Sequence, residues 1–199
     1  MFLEDKILSI AKKIPKLEQG ERIILGIDGL SRSGKTTLTN KVGLHLQEKN
    51  ISVCFLHIDA YIVERKKRYN TGYEEWYEYY NLQWDAKYLK DNLFAKLKKS
   101  KELQLLTYDY GSDAQRIEIT DIPDTCVIII DGVFLQRKEW RNFYDIIIYL
   151  DSSREKRFNR ENEATQSNIE KFQNRYWKAE DYYMEAETPL AQADLVIKN

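Results

Sequence analysis

Between residues 22 and 48 an apolar run, a glycine-bounded polar turn and a helix-spaced segment follow one another without a break. Arg22-Ile23-Ile24-Leu25-Gly26-Ile27 reads as a short buried strand, and Lys35 to Glu48 carries Leu38, Val42, His45 and Leu46 at helical spacing. The turn between them, Gly29-Leu30-Ser31-Arg32-Ser33-Gly34-Lys35-Thr36, fits the pattern G-x-x-x-x-G-K-[ST]. Strand, loop and helix start in this order are the context that makes the pattern a phosphate site. The loop's N–H groups wrap a phosphate and the helix start adds its positive dipole end. Gly29, Ser31, Arg32, Ser33, Gly34, Lys35, Thr36 and Thr37 are thus expected to hold a nucleoside triphosphate. Lys35 would bridge the β- and γ-phosphates, and the Thr36 hydroxyl would ligate Mg²⁺.

The rest of the chain supplies more strands of the same kind. Ser52 to Ile58, Cys126 to Asp131, Asp145 to Leu150 and Ala193 to Ile197 are short and apolar, with helical segments between them. Five such strands predict an α/β fold, a parallel sheet with helices on both faces. Leu3, Ile7, Ile10, Ile14 and Leu17 mark an N-terminal helix that Pro15 should kink or shorten. Residues 103–120 suggest a hairpin excursion, and Ser152 to about Glu187 a long charged helical region. No linker interrupts residues 1–199, so one domain is expected.

Composition limits the partners. The 31 basic and 32 acidic side chains leave a net charge of −1, which argues against nucleic acid as the main partner. The longest apolar runs are too short to span a bilayer, so no membrane partner is expected. Cys54 and Cys126 sit in predicted buried strands with no Cys-x-x-Cys, which suits a reduced, cytoplasmic setting.

In open α/β sheets ligands bind at the carboxyl ends of the strands, which places Asp59 and Asp131 beside the phosphate loop. Asp131 is expected to hold Mg²⁺ opposite Thr36; a capping aspartate is the plain alternative. Asp59 is the candidate base that orients an acceptor hydroxyl and takes its proton, or else a second carboxylate of the Mg²⁺ shell. Gly132 follows Asp131, so no second carboxylate stands there to polarise a hydrolytic water, and no Asn-Lys-x-Asp motif occurs. Both absences weigh against a motor-type ATPase or a GTPase.

Ile27 to Thr37, His57-Ile58-Asp59-Ala60-Tyr61 and Ile130-Asp131-Gly132-Val133 together resemble the uridine kinase and phosphoribulokinase family. The resemblance runs through most of the chain. It implies a P-loop NTPase fold with strand order 2-3-1-4-5, ATP and Mg²⁺ as donor, and a small-molecule hydroxyl as acceptor. A nucleoside 5′-OH is the first choice of acceptor. A sugar phosphate is the near alternative, and a nucleotide-dependent regulatory ATPase the distant one. It also implies a catalytic role for Asp59 beside Lys35, donor contacts from Arg157 and Arg160, and acceptor contacts from Asp85, Tyr108 and Arg116. Asp85 reads equally as a helix N-cap. Surface ion pairs are the alternative for the arginines, and more so for Arg175 and Lys178, whose charge would otherwise aid phosphoryl transfer. A homo-oligomer is compatible with the family, though no stretch marks an interface.

The chain departs from the family pattern at three points. Asp113 stands where a histidine is expected and Arg116 is displaced by one residue; the metal strand ends in Asp131 rather than glutamate; and no Arg-Gly-Arg follows Arg160. The Tyr- and Trp-rich segment 61–84 lies between Asp59 and Asp85, where it would wall the acceptor side. Within it Arg65, Lys66, Lys67 and Arg68 form a basic run, either a solvated turn or an attractor for an anionic acceptor.

Overall fold

A computed structural model describes residues 2–199. The strands are β1 (Arg22–Asp28), β2 (Val53–His57), β3 (Glu102–Asp109), β4 (Ala114–Asp121), β5 (Cys126–Gly132), β6 (Ile146–Asp151) and β7 (Leu195–Lys198). Five of them form one parallel sheet in the order β2-β5-β1-β6-β7. Counting only those five along the chain, this is the expected 2-3-1-4-5. β1 and β5 are buried over their whole length, which is why they read as unbroken apolar runs rather than alternating ones.

The two faces of the sheet have separate cores. On one, Ile10 of α1 (Leu3–Ala11) and Leu38, Val42 and Leu46 of α2 (Lys35–Glu48) pack on Leu25, Ile27, Val127 and Ile129. On the other, Ile24, Ile128 and Ile130 meet three layers of chain. Two helices lie beyond the basic run at α3 (Arg65–Arg68), namely α4 (Glu75–Asn81) and α5 (Ala86–Asn92). Tyr80 of the first and Leu89 of the second join this core, with Leu103 and Leu105 of the β3–β4 hairpin. Each such side chain contributes roughly 1.5–3 kcal/mol by leaving water. Arg22, at the foot of β1, is buried and donates to the carbonyls of Leu97, Ser100, Ile122 and Pro123 at 2.6–3.1 Å. It ties the hairpin's base to the sheet.

Helix lengths differ from the sequence expectation in two places. α1 ends at Ala11, well short of Leu17, because the residue before Pro15 disfavours helix and Pro15 has no N–H to donate. The region after β6 is broken into α6 (Arg154–Phe158), α7 (Glu163–Gln166), α8 (Ile169–Lys171), a π-helical turn (Phe172–Trp177), α9 (Lys178–Glu187) and α10 (Pro189–Gln192). The Asn162 and Asn168 side chains accept from Thr165 N and Lys171 N, so each restarts a helix rather than continuing one. The hairpin itself is as expected, pairing from Glu102↔Asp121 to Asp109↔Ala114.

The parallel register fixes where chemistry can happen. Asp131 lies level with Ile27 of β1 on one side and His57 of β2 on the other. No helix among the described residues is long and apolar enough to cross a membrane.

Candidate active site

The loop after β1 turns tightly, in a conformation that only glycine permits at its first position. Gly29 has φ +152°, and a Cβ there would stand 2.7 Å from Leu150 O and 2.9 Å from Ser33 Oγ. The Lys35 ammonium folds over the loop, donating to Leu30 O at 2.9 Å. Three loop carbonyls are held from outside: Ser31 O by Arg157 Nη1 at 3.0 Å, Arg32 O by Arg160 Nη1 at 2.8 Å, and Ser33 O by Asn199 Nδ2 at 2.6 Å. Arg157 and Arg160 therefore shape the loop as well as lining the cleft beside it.

At the strand ends, Asp131 Oδ2 accepts from Thr36 Oγ1 at 3.2 Å and Asp131 Oδ1 meets His57 Nδ1. Asp59 follows on a single 3₁₀ turn, Ile58–Tyr61. Gly132 (φ +151°) lets that turn sit against β5, since a Cβ would stand 2.1 Å from Ile58 Cγ2. The site is electrostatically crowded. Burial lowers the Lys35 pKa, while Asp59, Asp28, Asp131 and Glu180 all act to raise it. Asp59 opens onto the cleft, yet the protein packed around it raises its pKa; Asp131 adds to that rise, and Lys35 and His57 oppose it. The His57 pKa is raised chiefly by its hydrogen bond to Asp131, against partial burial.

These groups share one cleft of about 720 Å³. Its floor is Ser31, Arg32 and Gly34 to Thr37 of the loop with His57, Asp59 and Asp131. Its aromatic wall joins Tyr69, Tyr79, Gln83 and Tyr110 to Phe172, Tyr176 and Trp177, with Tyr79 edge-on to Tyr176 at 5.0 Å between centroids; Glu180 and the two arginines complete the lining. Among the described residues no three His, Cys, Asp or Glu side chains cluster as a metal cage. The Thr36–Asp131 pair fits Mg²⁺ all the same, because Mg²⁺ keeps several waters and takes one or two protein oxygens beside substrate phosphates.

Not every expected residue reaches the cleft. Asp85 caps α5, accepting from Tyr88 N at 2.9 Å, and is absent from the lining. Tyr108 is buried, donating to Asp113 Oδ1 at 2.7 Å, and Arg116 pairs with Asp109 at 2.8 Å; neither lines the cleft. Tyr110 does instead. Asp113 also accepts from Arg65 N at 2.9 Å, so it ties the hairpin turn to α3. Arg175 is buried against Glu78 at 3.0 Å and lies outside the cleft, as does Lys178.

Three residues were not singled out in the sequence. Asp28, fully buried, accepts from Gly29 N at 2.8 Å and Gln136 Nε2 at 2.9 Å and from the Tyr183 hydroxyl. A carboxylate closing an apolar strand was its signal. His57 had a similar signal, an ionisable imidazole at the end of β2. Glu180 had none, since its place depends on how α9 packs; there it takes Arg157 in a two-bond pair at 2.7 and 2.9 Å.

The chain is similar to known proteins over most of its length. Residues 24–198 match the model of the phosphoribulokinase / uridine kinase family. The chain belongs to that family. It is 35% identical over 135 residues to a uridine kinase of Staphylococcus aureus (strain JH9), a match covering 65% of this chain and 61% of that protein. A solved structure of a possible uridine kinase from Bacillus stearothermophilus superposes with a TM-score of 0.87 at 50% identity, covering 99% of this chain and all of that one. Family and structural likeness together give the chain the P-loop kinase fold.

Proposed function

We propose that this chain transfers the γ-phosphoryl of ATP to a hydroxyl of a small ribose-bearing metabolite, with a nucleoside 5′-OH as the class its relatives' names favour. The observation that carries the reading is Asp59 in the same cleft as Lys35, the Thr36–Asp131 pair and the tyrosines Tyr69, Tyr79 and Tyr110. A regulatory ATPase needs no such acceptor side.

The residues divide the work as follows. The loop amides and Lys35 hold the triphosphate, and Lys35 follows the charge as it shifts toward the leaving β-phosphate. Thr36 and Asp131 would hold Mg²⁺, which when bound neutralises charge on the β- and γ-oxygens. Asp59 orients the acceptor hydroxyl and takes its proton as the new oxygen–phosphorus bond forms and the bond to ADP breaks. Arg157 and Arg160 keep the loop in shape from the donor side. Tyr69, Tyr79 and Tyr110 exclude water and offer faces to a sugar or base.

Asp59→Asn tests this directly. Transfer should fall by about 10²–10⁴-fold while ATP binding, followed by titration calorimetry, stays nearly intact. Unchanged turnover would remove Asp59 as the base.

A further inference from the structure

Among the described residues, β4 bonds to β3 along one edge and to no strand along the other. Ile117 and Ile119 on it are 71% and 59% exposed, more than any other isoleucine or leucine described. Leu106, directly across from Ile117, is itself only half-buried.

Two hydrogen bonds fix which backbone groups of β4 face outward. Ile122 N donates to Lys101 O at 2.7 Å, so the hairpin's ladder starts on a bonded pair. Leu106 N turns away from β4 and donates to the Tyr88 hydroxyl at 3.2 Å. Bonded and non-bonded pairs alternate in an antiparallel ladder, and the register here is unbroken from Glu102↔Asp121 to Asp109↔Ala114. Leu106↔Ile117 is therefore a non-bonded pair, and the N–H and C=O groups of Gln115, Ile117 and Ile119 point to the open edge. Proteins guard such edges with proline, lysine, a bulge or a covering segment. β4 has no proline, no lysine and no bulge.

We propose that β4 pairs antiparallel with β4 of a second copy of this chain, across a two-fold axis at Ile117, joining the two hairpins into one sheet. Charge selects this register. An axis at Arg116 sets Arg116 against its own copy, and an axis at Glu118 does the same for Glu118; like charges directly opposite are destabilising. Axes further out leave half the strand unpaired. The axis at Ile117 sets Arg116 against the partner's Glu118 and Glu118 against the partner's Arg116. On the other face it brings Ile117 against the partner's Ile117 and Ile119 beside the partner's Gln115. The outward N–H and C=O groups of both strands then satisfy one another. Glu118 forms no ion pair among the described residues. Arg116 reaches Asp109 at 2.8 Å with its side chain 70% exposed, and a guanidinium has donors enough for a second carboxylate. The inference does not depend on which acceptor the cleft takes. It ties together the two hairpins whose turns carry Tyr110 to the clefts.

Sedimentation of the full chain over a concentration series tests it. The unaltered chain should associate. Ile117→Lys, Arg116→Glu and Glu118→Arg should each raise the dissociation constant about tenfold or more, since each places like charges opposite across the axis. Mixing the Arg116→Glu chain with the Glu118→Arg chain should restore association, because opposite charges then face each other at both positions. The double variant Arg116→Glu/Glu118→Arg should likewise associate with itself, and this recovery separates lost pairing from lost folding. A chain that stays monomeric at every concentration overturns the interface. So does an assembly whose mass the three single variants leave unchanged, which would place the contact on another face. Failure of both the mixture and the double variant to associate overturns the register and with it the proposal.

Discussion

At the scale of single residues the site is a contest between burial and neighbouring charge. Asp59 stands in a cleft whose packing favours its neutral form, Asp131 favours that form too, and the Lys35 ammonium opposes both. Its pKa ends above the ordinary carboxylate value. A base acts only when ionised, so activity is lost as pH falls through that raised pKa. The acidic limb of kcat/KM should accordingly lie above the pH expected of a free aspartate, about 3.9. A rate–pH profile with its inflection at or below that value would contradict this environment for Asp59. Asp28 shows the same physics without the chemistry: burial raises its pKa, and four hydrogen bonds from Tyr183, Gln136, Gly29 and Leu135 hold it down. It fixes the start of the phosphate loop to the segment after β5. Asp59 and Asp131 were legible because an ionisable group closing an apolar run is conspicuous; Asp28 ends β1 in the same way and was passed over beside the phosphate loop. Asp85, Tyr108 and Arg116, read as acceptor contacts, lie outside the cleft lining; their positions depend on the path of segment 61–84 and the turn of the hairpin, neither of which has a periodic signal. Around that turn Tyr108 is buried against Asp113, whereas Tyr110, two residues on, reaches the cleft.

Among the elements, the loop is held by the helices that follow β6. Arg157 on α6 joins Glu180 on α9 by two buried bonds and also donates to Ser31 O. Removing one partner leaves the other charge buried and alone. Arg157→Ala should therefore destabilise the fold by roughly 3–5 kcal/mol, and Arg157→Ala with Glu180→Gln should recover much of that. Urea unfolding of the three proteins checks it; additive losses would show that the pair is not coupled. The same region marks the limit of reading elements from sequence. A continuous charged stretch reads as one long helix, but Asn162 and Asn168 turn inward on their own backbone and divide it. The π-helical turn at Phe172–Trp177 has no sequence signature, and it carries Phe172, Tyr176 and Trp177 to the cleft wall.

For the whole molecule the topology was the most legible part. Wholly buried strands announce themselves as apolar runs, and a phosphate loop after the first of them fixes which sheet edge carries the chemistry. The observed order β2-β5-β1-β6-β7 then brings residues from β1, β2 and β5 to one point. What topology does not specify is the acceptor, because the aromatic wall of the cleft comes from the irregular segment 61–84 and the helices after β6 rather than from the sheet. The proposed transfer requires this wall to receive a molecule with a free hydroxyl. The most direct test is to incubate the chain with ATP and Mg²⁺ across nucleosides, other ribosides and their phosphate esters, and to read product masses. ADP should form in step with one phosphorylated acceptor. ADP and inorganic phosphate accumulating with no phosphorylated acceptor would contradict it.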